Sequence, residues 1–128
     1  MAFIVCVRCG KRLTAEIAET PLPAPATEET RGSRQFLPAR MTPGTYAVSP
    51  EMNGLVLNPD DVKSADLHPD PHRQGGCCGL DGLHGPNLIC ARCGAEVGTK
   101  ESDCWTQQQV VMLPEAVKLI ADNWTRRP

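Results

Sequence analysis

The chain has 128 residues, a net charge of −2 and an aromatic content of only 4%. That length suits one domain, but large apolar side chains are scarce, so the core is thin and calls for a staple of disulfides or metal. The acidic balance, with no basic run longer than Arg126–Arg127, argues against nucleic acid, and no apolar run approaches the ~18 residues of a membrane span.

In chain order, "FIVCV" (3–7) predicts a β-strand and "KRLTAEI" (11–17) its hairpin return. The opening residues lack the charged start and long apolar core of a secretory signal, so a cytoplasmic location is expected. Residues 18–43 are rich in Pro, Ala, Thr and Glu without apolar periodicity and read as a long, mobile loop. Strands are expected at 44–51 and 54–59, then a second irregular stretch at 68–86 that is rich in glycine, with one helical turn near 60–66. Further strands are expected at 87–93, 95–102 and 104–113. "PEAVKLIADNW" (114–124) reads as a C-terminal helix. Pro114 suits a first helical position, and Val117, Ile120, Ala121 and Trp124 fall on one apolar face that would carry Trp124 into the core.

The phrase "CVRCG" at 6–10 returns as "CARCG" at 90–94. A two-residue spacer lets both thiolates of a pair reach one ion, and glycine after the second cysteine accepts the positive φ that such a turn needs. Two such knuckles supply Cys6, Cys9, Cys90 and Cys93, the tetrahedral donor set of one structural zinc ion with no open position for catalysis. In a reducing compartment, paired cysteines of this kind favour metal over disulfides. Arg8 and Arg92 occupy equivalent places and would offset part of the thiolate charge.

This layout resembles the β-tent group of zinc folds, which includes the Yippee proteins, the thalidomide-binding domain of cereblon and the methionine-R-sulfoxide reductases. The resemblance rests on the two knuckles, on Val97–Gly98 after the second knuckle, and on "PGTYAV" (43–48), similar to a glycine–tyrosine strand of those families. It implies a zinc-held pair of β-hairpins with a ligand-binding face. Two departures limit what carries over. The cereblon-type cage uses three tryptophans, whereas this chain has Trp105 and Trp124 only, with Thr99 at one cage position. The reductases use a cysteine in an Arg-Tyr-Cys context, which "SDCW" (102–105) does not match.

Cys77, Cys78 and Cys104 lie outside the knuckles. They read as small apolar residues, as part of a second metal site completed by His68, His72 or His84, or as redox thiols. Asp103 would raise the Cys104 pKa, which weakens a nucleophilic role. The stretch 76–87 and the segment 101–105 form the other unusual part of the chain. Asp81 and Asp103 are placed to anchor that loop through its amides, and Trp105 to present an aromatic face at its mouth.

The expectation is therefore a single mainly β domain over 1–128, with small zinc-stapled antiparallel sheets, two C-x-x-C knuckles and a C-terminal helix. One structural Zn²⁺ sits on Cys6, Cys9, Cys90 and Cys93. Cys77, Cys78, Asp81, Asp103, Cys104 and Trp105 line a small-molecule or peptide site. Enzymatic activity is not expected. The alternatives are a thiol redox enzyme of the methionine sulfoxide reductase type and a zinc-ribbon module for nucleic acid. The oligomeric state is not legible.

Overall fold

A computed structural model of the chain describes residues 1–121. It is mainly β, with strands β1 (Ala2–Cys6), β2 (Ala18–Glu19), β3 (Thr45–Ser49), β4 (Gly54–Leu57), β5 (Ala65–Leu67), β6 (Leu88–Cys90), β7 (Glu96–Glu101), β8 (Gln109–Met112) and β9 (Val117–Ala121). One helical turn, α1, covers Glu28–Arg31. Seven strands form a sheet in the order β2-β3-β4-β8-β7-β6-β5, and β1 pairs with β9 in a separate ribbon. Pairing is antiparallel except between β2 and β3, which run parallel.

Side chains alternate across the large sheet, as the two-residue period of a strand requires. Tyr46 pairs with Leu57, and both join the main core with Ile4, Leu13, Ile17, Val97, Val110, Met112 and Val117. Their neighbours Ala47 and Val56 point the other way, into a smaller cluster with Met41. The ribbon thus covers one face of the sheet, and residues from the long 18–43 segment reach the other.

That segment has little regular structure, as its composition predicts, but it is tied down at several points. The Gln107 side chain bonds both the N–H and the carbonyl of Ala26, at 2.9 and 3.0 Å. Arg40 Nε donates to the Pro23 carbonyl at 2.9 Å. Thr27 closes a capping box on α1, satisfying N–H groups that so short a helix cannot bond internally.

The expected C-terminal helix is absent: residues 114–116 form a turn and Val117–Ala121 is a strand. An apolar run this short fits either a helical or a strand period. The edge of β1 decides between them, because its backbone groups need partners and Val117, Leu119 and Ile120 pack well in a strand. The register runs from Ala2↔Ala121 to Cys6↔Val117. Trp124 lies outside the described residues.

Two other expectations change in detail. Residues 11–17 do return alongside β1, with Leu13 N–H on the Ile4 carbonyl at 2.8 Å and Ala2 and Ile17 exchanging bonds at 2.8 and 2.7 Å. They do not form a regular strand, because the Thr14 hydroxyl takes the place of a backbone acceptor for Ile4 N–H, at 3.0 Å. The strand expected over 104–113 begins only at Gln109. Residues 103–106 turn instead, because the Asp103 N–H bonds the Thr106 hydroxyl at 3.0 Å.

Candidate metal centre and thiol cluster

Each copy of the repeated phrase folds into the same turn. Cys6 N–H bonds the Lys11 carbonyl at 2.9 Å, and Gly10 N–H returns to the Cys6 carbonyl at 2.8 Å. In the second copy, Cys90 N–H bonds the Ala95 carbonyl at 2.8 Å and Gly94 N–H returns to Cys90 at 2.9 Å. Gly10 and Gly94 have φ of 77° and 79°, the left-handed region that other residues enter at a cost. Strand β1 delivers the first knuckle and β6 the second, so register within each sheet sets where the sulfurs meet.

The four sulfurs converge, all within 4.8 Å of one another. Cys6 Sγ lies 3.6 Å from Cys93 Sγ, and Cys9 Sγ lies 3.6 Å from Cys90 Sγ. A tetrahedral ion with metal–sulfur bonds of about 2.3 Å holds its sulfurs about 3.8 Å apart, so the cage already has close to the right edge. Cys6 and Cys90 are buried and Cys9 and Cys93 half-buried. The donor set can hold a metal ion, and its four thiolates leave no protein-free position on a four-coordinate ion.

Without an ion the four thiols compete for protons. Lys11 N–H bonding to the Cys9 sulfur favours its thiolate, but burial and the three neighbouring thiols outweigh this and push Cys9 up to about 11. Burial of Cys90 favours its thiol, but N–H groups of Cys93 and Arg92 and the thiols of Cys9 and Cys93 bring it down to about 7. A divalent cation replaces those shared protons and lets all four ionise. The side chains of Arg8 and Arg92 are exposed.

The remaining three cysteines also come together, around Asp103. This carboxylate is fully buried. Its Oδ2 accepts from Cys77 N–H at 2.8 Å and from Trp105 Nε1–H at 3.0 Å. Its Oδ1 accepts from Cys78 N–H at 2.9 Å and Cys104 N–H at 2.7 Å. The Cys77 N–H, then the Cys78 N–H, hold the acid well below the usual carboxylate range. Cys78 Sγ lies 3.9 Å from Cys77 Sγ and within 4.8 Å of the Cys104 sulfur.

The glycines of this loop serve close packing. A Cβ on Gly76 would fall 1.6 Å from the Gly79 carbonyl oxygen, and one on Gly79 would fall 2.4 Å from that of Ser102. Ser102 also bonds Leu80 N–H through its hydroxyl at 3.1 Å and lines a cleft of about 310 Å³ with Ala39, Asn58, Lys100 and Gln108. Trp105 is exposed, with its N–H held by Asp103.

Asp81 anchors the loop more locally: its Oδ1 accepts the Leu83 N–H at 3.0 Å, and its own N–H bonds the Gly75 carbonyl at 2.9 Å. The histidines are not in either cysteine cluster among the described residues. His68 Nε2 is 2.9 Å from Glu96, which also takes Arg73 at 2.9 Å, and His72 lies 3.3 Å from Asp70. Sequence reasoning missed Gln35, whose side chain helps lower the Cys78 pKa, and Arg31, whose Nη1 donates to the Cys104 carbonyl at 3.2 Å. Both come from a segment with no periodic signal.

Comparison with protein-family models, curated proteins and solved structures gives no match. Among the described residues, no helix is long and apolar enough to cross a membrane.

Proposed function

We propose that the chain is a non-catalytic, zinc-stapled β module of the reducing cytoplasm, built on the β-tent plan, that binds a small molecule or peptide at the surface of Trp105 and the glycine-rich loop. The observation that carries the reading is the convergence of four cysteine sulfurs from sites 81 and 87 positions apart onto one tetrahedral edge length. Sulfur donors at that spacing suit Zn²⁺, and a closed set suits a structural ion. An exposed indole over a rigid loop is the kind of aromatic surface that binding sites use. A redox role for Cys104 is disfavoured, because its hydrogen bond with Cys78, and then burial, push it up to about 11.

Elemental analysis tests the zinc. One zinc ion per chain is expected in wild type and Cys77→Ser, and none in Cys90→Ser. A zinc ion that depends on Cys77 would sink the assignment. A thermal-shift screen of fragments and short peptides tests the binding face. Hits that vanish in Trp105→Ala with zinc intact support it, and hits unaffected by that change place the site elsewhere.

A further inference from the structure

We propose that Cys77, Cys78 and Cys104 form a second metal site, an exposed three-thiolate site for a soft monovalent cation, with Cu(I) as its chemical class. The inference does not depend on any ligand at Trp105.

The first support is the frame. Asp103 accepts the backbone N–H groups of all three of these cysteines. A buried carboxylate is costly unless hydrogen-bonded, and this one spends its charge on fixing three thiol-bearing residues in place. The arrangement matches the role of outer-shell groups around metals, which orient ligands without touching the ion. The glycine contacts described above fasten the loop from its other side.

The second support is the donor set. Adjacent cysteines ordinarily diverge, but here the Cys77 and Cys78 sulfurs are 3.9 Å apart. A trigonal ion with bonds of about 2.3 Å separates its sulfurs by about 4.0 Å. Cys78 is central, 3.9 Å from the Cys77 sulfur and within 4.8 Å of that of Cys104. The Cys77 and Cys104 sulfurs do not come within 4.8 Å of each other, so closing the trigonal set requires the exposed Cys77 side chain to turn inward.

The third support is what the site lacks. Each Asp103 oxygen already accepts two donors, which fills its lone pairs, so the carboxylate is not a free ligand despite its nearness. No histidine joins the cluster among the described residues. Zinc would lack a fourth protein donor, whereas thiolate-only sites suit soft Cu(I). Cys77 and Cys78 are exposed, so an ion held here is open to exchange with other thiols, unlike the ion of the closed cage.

The test is anaerobic titration of the full, zinc-loaded chain with Cu(I) against a chromogenic Cu(I) chelator, with zinc and copper both measured by elemental analysis. One copper per chain is expected, with zinc retained. Affinity should fall at least 10-fold in Cys78→Ser and in Cys104→Ser, while both variants keep zinc as evidence that they fold. Three results would overturn the proposal: copper bound only as zinc is lost, equal affinity in the serine variants, or a second zinc held by Cys78 and Cys104 in preference to copper. Loss of the cage zinc is read on a different metal, so failure of the structural-zinc reading is distinguishable from failure here.

Discussion

Asp103 links its own charge to the position of three thiol-bearing residues, so changing one changes the other. Its folded pKa is depressed. Its contribution to stability is therefore complete above the unfolded value of ~3.9 and is lost as pH falls through the folded one. Asp103→Asn replaces one of two doubly accepting oxygens with an amide that donates. The gap in urea midpoint between wild type and this variant should stay constant from neutral pH down to about 5 and narrow below ~4. A gap that widened on acidification would refute the account. Trypsin should also cleave faster after Arg73 in the variant, beside the loosened loop.

The thiols should differ in reactivity in the same way. In zinc-loaded protein Cys78 should alkylate first, because the Cys104 thiol, Gln35 and Cys77 lower its pKa, and the thiolate is the nucleophile. Cys104, at about 11, should follow slowly, and the cage cysteines last. Peptide mass spectrometry after timed iodoacetamide pulses checks the order, and early labelling of Cys6 or Cys90 would contradict it. Much of this was legible in the sequence: Asp103 beside Cys104 predicts a raised pKa, and Asp103 as an amide anchor follows from a carboxylate near a glycine-rich loop. Asp81 also bonds a loop amide, that of Leu83, but Asp103 gathers four N–H groups, and that difference depends on tertiary placement no local pattern encodes.

Elements were legible where strand period and turn chemistry agreed. The knuckles, β3, β4, β6 and β7 all fall inside predicted segments because glycine or proline brackets a short β-branched or apolar run. β9 did not, because "VKLIA" satisfies two periods and only the edge of β1 chooses. Edges and crowding also make the elements testable. A Cβ on Gly54 would fall 2.5 Å from the Met112 carbonyl oxygen, so Gly54→Ala forces β4 and β8 apart at a cost of about 1–3 kcal/mol. Ile4 is fully buried between ribbon and sheet, and Ile4→Ala should cost about 2–5 kcal/mol. Urea unfolding measures both. A neutral Ile4→Ala would mean that the ribbon does not pack on the sheet.

At the scale of the molecule, the cage joins the ribbon to the large sheet, since Cys6 ends β1 and Cys90 ends β6. Removing an ion held there should therefore loosen one layer from the other. Structural zinc in small domains is worth roughly 10–16 kcal/mol, comparable to the whole stability of a typical domain, so a strong chelator should unfold the chain or lower its Tm steeply. Acid should do the same, because protons and metal compete for the same thiolates and affinity falls with pH. Survival of the full near-ultraviolet circular dichroism spectrum after metal removal would show that the apolar core suffices alone. The meeting of the four knuckle cysteines was legible from spacing alone. The sequence also set Cys77, Cys78 and Cys104 together as one candidate site, but their arrangement around Asp103 appears only once β7 and the glycine-rich loop have folded.

The pairing of β1 with β9 has a consequence for synthesis. Strand β1 is made well before its regular partner, Val117–Ala121, which lies more than a hundred residues further along the chain. A nascent chain must carry an apolar strand and two thiols, with little to shelter them beyond the irregular return at 11–17, until Val117–Ala121 has emerged. Contacts this distant in sequence also form slowly, because loop-closure entropy is lost before they are gained. The ribbon is therefore expected to close late in folding, and any ion held by the four cysteines is captured only once both knuckles have formed, so metal supply during that interval would influence how much of the chain reaches the folded state.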